Sequence, residues 1–358
     1  MAQTVEAAPE AQTATRRGRT ICLREAYVYG AASVAGPAEG RGPLGPEFDE
    51  VTQGHLLGQR TWEQAESAML ARAFRRLCAK TGWQQTDFDL LLGGDLLNQN
   101  VASNFAACDL DVPFCGLYSA CATLGEALGL AAALCDAGHC RRVAVTVSSH
   151  HDAAERQYRF PTELGNQRPP TAQWTATGAV AVAVGVGGQG EASARITHFT
   201  PGRVVDFGVK DPFNMGGAMA PAAADTLVAH LRDLERPADA YGAVFTGDLA
   251  AVGVPVCQDL LAQQGIQMRL RDCGRELYDP THQDVHAGGS GAACSGLVLA
   301  ARILPGLGAG RYGRVLLCTT GALHSPTTYQ QGATIPAVAH AVAIQTLRTT
   351  GDGAQDKP

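Results

Sequence analysis

Apolar residues recur at Ala65, Ala68, Met69, Ala73 and Leu77, the spacing of one helix face. This predicts a helix from Trp62 to Thr81, with Gly82 as its C-cap. A second helix is expected from Pro221 to Leu234, with proline in its first turn and basic residues near its end. Ala176 to Val186 is an unbroken run of small apolar residues and predicts a strand buried on both faces.

Three patterns then occur twice in the same order. Asp89 to Leu96 and Gly242 to Leu249 each read as a buried strand ending at Gly-Asp. Ala120-Cys121-Ala122-Thr123-Leu124-Gly125 opens the apolar helix Glu126 to Cys135. Ala293-Cys294-Ser295-Gly296-Leu297 opens another, reaching about Leu304. Arg142 to Ser149 and Arg314 to Thr320 are strands ending in hydroxyls. The second half carries extra residues around Cys257 to Gln283. Strands alternating with helices argue for an α/β chain with largely parallel sheets covered on both faces. Two such halves, fused face to face, give a five-layered αβαβα sandwich. The expected halves are residues 21–195 and 196–348. A disordered leader over 1–20 precedes them and a frayed tail over 349–358 follows.

Composition narrows the function classes. The chain has 358 residues, 46% of them hydrophobic, enough for two ordinary domains or one large one. Only 6% are aromatic, so the core is built from Ala, Val and Leu. A net charge of -6 gives no footprint for nucleic acid. Eleven cysteines without a CxxC pair argue against a disulfide scaffold and for a reducing compartment. The N-terminus lacks the apolar segment of a secretory signal. The best apolar run, Leu128 to Cys135, falls short of the roughly 20 residues of a membrane span.

Cys121 is the sharpest chemical candidate. It stands at a strand-to-helix turn among small residues, where helix N–H groups would lower a thiol pKa and receive an anion. Ser148, Ser149, His150 and His151 follow the next strand, at the end where ligands gather in open α/β sheets. Arg156 and Arg159 suit carboxylates through bidentate geometry. Ala287 to Ala293 is glycine-rich and contains Ser290, but matches no phosphate-loop pattern. Asp95 and Asp248 read as symmetric turn or capping residues. No spacing suggests a metal cage.

At these residues the chain resembles the thiolase superfamily, and more closely the stage V sporulation protein AD family within it. The blocks that carry the resemblance include Gly42-Pro43-Leu44-Gly45, Gly94-Asp95-Leu96-Leu97-Asn98-Gln99-Asn100, Ser119-Ala120-Cys121 and Ser148-Ser149-His150. Further blocks are Ala154-Glu155-Arg156-Gln157, Pro161-Thr162-Glu163, Asp211-Pro212-Phe213, Met219 to Thr226, Thr246 to Leu249 and Ala287 to Gly291.

The resemblance implies a protein of endospore formers that binds dipicolinic acid, alone or as its calcium chelate, and supports its uptake into the forespore. It implies membrane proteins of the same operon as partners and a homodimer, with the segment Phe105 to Leu117 as the candidate edge. It also implies residence in the forespore or spore, free or peripheral to the inner membrane. No cofactor is implied. The expected ligand contacts are N–H groups at Cys121, Ala122 and Thr123, with Ser148, Ser149, His150, Arg156 and Ser290 as further donors.

The pattern departs from a working thiolase. Where Gly-His-Pro is expected, Gly291 is followed by Ala292 and Ala293. No histidine lies in Thr246 to Ala251, and Cys318 is followed by Thr319 and Thr320 before Gly321. A Claisen condensation needs a thiolate, a base and oxyanion donors. The departures imply that catalysis is lost. The alternatives are an acyltransferase using Cys121, with His286 or His150 standing in as base, and a purely structural subunit of the membrane channel.

Overall fold

The computed structural model describes residues 16–158, 167–187 and 192–347. Arg159, the block Pro161 to Glu163, the tail 349–358 and the leader as far as residue 15 lie outside the described residues.

The first half contributes five main strands: β1 (Tyr27–Ala35), β2 (Leu90–Gly94), β3 (Phe114–Gly116), β4 (Arg142–Ser149) and β5 (Gly178–Gly185). The second half contributes β6 (Ala194–Thr200), β7 (Ala243–Thr246), β8 (Leu270–Asp272), β9 (Arg314–Ala322) and β10 (Ala337–Thr346). Their orders are β3-β2-β4-β5-β1 and β8-β7-β9-β10-β6, the same arrangement twice. Within each half, the fifth strand alone runs opposite to the other four. An antiparallel strand needs no covering crossover. Ser149 faces Gly178, and Ala322 faces Ala337, across the ends of these two pairs. The halves also meet edge to edge, through Ala194–Val28 and Arg195–Tyr27, in one 13-stranded sheet.

Among the described residues, the longer helices that complete the layers are α1 (Trp62–Thr81), α2 (Val101–Leu110), α3 (Thr123–Asp136), α4 (His151–Tyr158), α5 (Met215–Asp233), α6 (Ala250–Gln263) and α7 (Ala292–Val298). α3 and α7 form the middle layer. α1 and α2 cover the first half-sheet from outside, and α5 and α6 cover the second. The strands show why the layers sort this way. Along β5, Val180, Val182 and Val184 face the middle layer, while Ala179, Ala181 and Ala183 face α1. Along β10, Val342 and Ile344 face inward, while Ala337, Ala339, Ala341 and Ala343 face outward. Alternating side chains on a strand point to opposite faces, so alanine admits the outer helix and the larger residues fill the middle.

α1 matches its expected span. Thr61 caps it by accepting from Gln64 N at 3.3 Å, and Gly82 closes it at φ 70°. Two expectations are corrected. α5 begins at Met215, so Pro221 lies inside it; Asn214 supplies the cap by accepting from Gly217 N at 3.2 Å. Pro221 has no N–H to give, so the Gly217 carbonyl loses the helical bond that a residue at 221 would have made. Residues 16–20, expected to belong to the leader, are structured. Arg16–Arg17 pairs with Thr20–Cys22, which pairs with β6. Asp233 Oδ2 anchors the segment by accepting from Arg19 N, Thr20 N and Thr20 Oγ1 at 2.8–3.0 Å. All eleven cysteines are free thiols.

Candidate functional site at the Cys121 helix

Cys121 lies in a single 3-10 turn, Ala120–Ala122, that leads into α3. Ala120 adopts φ 50°, a left-handed conformation that costs an alanine on the order of 1 kcal/mol or more. The turn is pinned from several sides. Thr123 Oγ1 donates to Ala120 O at 2.7 Å, and Thr319 Oγ1 of β9 donates to Ala122 O at 3.0 Å. His340 of β10 accepts from Gly202 N at 3.2 Å through Nδ1, so its Nε2 carries the hydrogen that points to Ser119 Oγ at 3.3 Å. Ser119 passes its own hydrogen to Glu126 at 2.7 Å. Burial pushes the His340 pKa down to about 4, which keeps the ring neutral in this relay.

The Cys121 sulfur sits 3.8 Å from Ser290 Oγ, which donates to Asp248 Oδ2 at 2.9 Å. Asp248 also accepts from Gly291 N at 3.1 Å and from Thr320 Oγ1 at 2.6 Å. Burial raises the pKa of Asp248 despite these donors. The thiol of Cys121 is pushed well above its ordinary range, first by burial and then by the Asp248 carboxylate. The helix start therefore does not activate this thiol. Its neighbourhood holds it protonated.

Gly291 makes the approach of the two halves possible. Its φ is 106°, and a Cβ there would lie 2.8 Å from Ser149 Oγ. Ser149 instead donates to Ala176 O at 2.7 Å and accepts from Ala293 N at 3.2 Å, tying β4 to the start of α7. Gly289–Ser290 pairs in parallel with Trp174–Thr175, which fixes Ser290 toward Cys121.

A cavity of about 30 Å³ borders Cys121 and Ser290. Tyr118, Tyr158, Thr175 and His324 supply its polar lining, and Met215 and Leu96 its apolar lining. The two tyrosine hydroxyls meet at 2.9 Å, and both reach the Leu96 carbonyl. Such a volume holds about one or two water molecules.

Of the expected ligand contacts, only Cys121 and Ser290, with Ala122 and Thr123 directly following, come together here, and Asp248, expected as a cap, joins them. The N–H groups of Ala122 and Thr123 are already bonded to Ser119 and Ala120 carbonyls. The expected anion cradle is thus closed at these two positions. Ser148 points to the outer face and donates to Glu66 at 2.9 Å. His150 is buried, with Nε2 at 2.8 Å from the carbonyl of His55. His151 stacks on Trp174 at 3.6 Å. Arg156 pairs with Glu63 and lies over Trp62, 4.9 Å from the ring centre. His286 lies 3.4 Å from Asp284 and does not border the cavity.

Sequence reasoning missed Tyr118, Tyr158 and His324, and misread Asp248. Asp95 does cap: it accepts from Leu97 N and Ser103 N, both at 2.8 Å. Asp248 instead faces Cys121. His324 follows β9 by two residues, a second strand end that the sequence reading did not weigh.

The structure is similar across most of its length to several solved structures. Cerulenin-bound OleA of Xanthomonas campestris is 16% identical, with TM-score 0.57 over 92% of this chain and 99% of that one. The 3-oxoacyl-(acyl carrier protein) synthase III, FabH, of Pseudomonas aeruginosa PAO1 is 14% identical, with TM-score 0.51 over 91% and 99%. These likenesses carry the thiolase-like fold alone. Stage V sporulation protein AD of Bacillus subtilis (strain 168) is 44% identical over 321 residues, which cover 89% of this chain and 94% of that protein. The family model for stage V sporulation protein AD (SpoVAD) matches residues 17–345, and the chain belongs to that family.

Proposed function

We propose that this sporulation protein binds dipicolinic acid beside Cys121 and supports its uptake into the forespore, on a fold that no longer catalyses acyl transfer. The protonated Cys121 thiol carries the non-catalytic part. A carboxylate one serine away opposes ionisation, whereas a condensing nucleophile needs the opposite. For binding, the cavity offers aromatic walls at Tyr118, Tyr158 and His324, with hydroxyl groups at Thr175 and Ser290. That suits a flat aromatic dicarboxylic acid. The present cavity is smaller than the ligand, so entry requires the paired Tyr118 and Tyr158 rings to move.

The partners in this reading are membrane proteins of the same operon, at the spore inner membrane. Among the described residues no helix is long and apolar enough to cross a membrane. A second copy is the other partner. β3 is the edge of its half-sheet, and α2 beside it exposes Phe105. Both lie in the segment expected to pair across a two-fold.

Calorimetric and thermal-shift titration with dipicolinic acid, with and without calcium, tests the proposal. A ligand of the folded state raises its melting temperature by mass action. Saturable binding that Ser290→Leu or Tyr158→Ala weakens supports the site. Absence of saturable binding up to millimolar ligand removes it, and the structural-subunit reading then leads.

His324 in the cavity wall favours a second reading, acyl transfer from Cys121 with that imidazole as base. Acyl transfer from an acyl thioester, lost in Cys121→Ala, would establish it.

A further inference from the structure

On the outer side of β4, away from Cys121, three side chains converge from segments distant in sequence. His55 lies in the loop before α1, His150 directly follows β4, and Asp152 stands in the first turn of α4. One nitrogen of each histidine and a carboxylate oxygen of Asp152 all lie within 4.8 Å of one another. His55 Nδ1 is 3.0 Å and His150 Nδ1 is 3.8 Å from Asp152 Oδ2.

The hydrogen on His150 can be located from its partner. Nε2 sits 2.8 Å from the His55 carbonyl, which can only accept, so Nε2 is the protonated nitrogen. In the neutral ring Nδ1 is then a bare lone pair. That atom is fully buried, has no hydrogen-bond partner, and looks toward a carboxylate. Two acceptors facing each other, one of them fully buried, repel unless a cation lies between them. An imidazole whose far N–H is held by a backbone carbonyl is also the usual outer-shell arrangement of a metal-bound histidine.

We propose that His55, His150 and Asp152 form a binding site for a zinc-class divalent transition ion. Bonds of about 2.0–2.2 Å in a tetrahedral set place donor atoms roughly 3.3 Å apart, and the two separations from Asp152 bracket that value. Two imidazoles and one carboxylate select zinc, cobalt or nickel over calcium, which takes oxygen ligands. His55 and Asp152 border an open cleft of about 980 Å³ that runs past Gly54, Trp62 and Arg72. The fourth coordination position opens toward that cleft and is available to water or an anionic ligand. On binding, the hydrogen between His55 Nδ1 and Asp152 is displaced from the shared position, to His55 Nε2 or to water. The site is separate from the Cys121 cavity and does not depend on the dipicolinic acid reading.

The test is titration of the chelator-stripped full chain with Zn²⁺ alone, by calorimetry, and with Co²⁺ by visible absorption. Cys108 and Cys115 are exposed and could compete for metal, so both are first changed to serine. The expected result is one Zn²⁺ per chain. Co²⁺ should give a four-coordinate visible spectrum without a thiolate charge-transfer band. His55→Ala and Asp152→Asn, both at partly exposed positions, should each weaken Zn²⁺ binding at least tenfold while circular dichroism stays unchanged. An excess of Ca²⁺ should not displace Zn²⁺. Absence of saturable Zn²⁺ binding, unchanged affinity in both folded variants, or a thiolate band in the Co²⁺ spectrum would each overturn the assignment.

Discussion

The two halves share a topology but divide the site between them. In the first half, Asp95 ends its strand by capping the start of α2, and Cys121 opens its helix beside a cavity. In the second half, the matching Asp248 turns toward Cys121 through Ser290, and the matching Cys294 is sealed in the core, its sulfur 4.0 Å from Gly247 O. The capping task passes to Asp272 on the neighbouring strand β8. It accepts from Leu249 N at 2.9 Å, Ala250 N at 3.0 Å and Arg275 N at 3.1 Å. A duplicated frame can assign one task to different strands, and that frees a carboxylate to meet the other half's cysteine.

The largest effect should come from removing a cap. Asp95→Ala leaves two buried N–H groups unsatisfied, at about 1–3 kcal/mol each. The total loss in urea unfolding is expected to be about 2–6 kcal/mol. Asp248→Ala should cost less, because Ser290, one of its three donors, borders a cavity that admits water. Equal losses in the two variants would mean that Asp248 is a cap after all.

Asp272 should mark the second half in the pH dependence of stability. Burial raises its pKa to about 6 from 3.8. Between those values the folded chain keeps a proton that the unfolded chain has lost. Its contribution is therefore full below pH 3.8 and falls as pH rises to about 6, on the order of 3 kcal/mol in all. Glu39, Glu66, Asp95 and Asp248 are also raised, so they add to the same trend. Subtracting the urea profile of Asp272→Asn from that of wild type isolates the share of Asp272. Parallel profiles would show that its carboxyl titrates normally.

The fold was legible because its signals are local. Helical spacing placed α1, and a continuous apolar run placed β5. The repeated Gly-Asp strand ends exposed the duplication. The site was less legible because Cys121, Asp248 and Ser290 are joined only by the folding of two halves onto each other. Proximity in sequence misled at Ser148. Side chains alternate along β4, so Val147 and Ser149 face the middle layer while Ser148 faces α1. The period of two already separates the adjacent serines. His55 and His150 carried no spacing signal, because the loop before α1 reaches the end of β4 only in three dimensions.

A chemical probe can sharpen the Cys121–Asp248 pairing. Iodoacetamide, followed by peptide mass spectrometry, should label exposed Cys108 and Cys115 first, Cys121 slowly, and Cys294 only on unfolding. Asp248→Asn removes the charge that opposes the Cys121 thiolate. The rate at Cys121 should then rise several-fold, since the thiolate is the reacting form. An unchanged rate would mean that burial alone sets the reactivity.

The smallest effect should distinguish the two cysteines themselves. Cys294 is wholly buried in the second-half helix α7, in contact with the middle-layer core. Cys294→Ala leaves a void there, and removing a group of this size from a packed core costs about 1–2 kcal/mol. Cys121 has the same atoms, but its sulfur borders an existing cavity, and its nearest polar neighbour, Ser290, keeps its bond to Asp248 without it. Cys121→Ala should therefore change unfolding free energy by less than about 0.5 kcal/mol, within the range of an unconstrained substitution. It should weaken dipicolinic acid binding only modestly if hydroxyl and aromatic groups do most of the holding. Comparable destabilisation in the two variants would show that Cys121 is packed as a core residue. The division of labour between the halves would then rest on Asp248 alone.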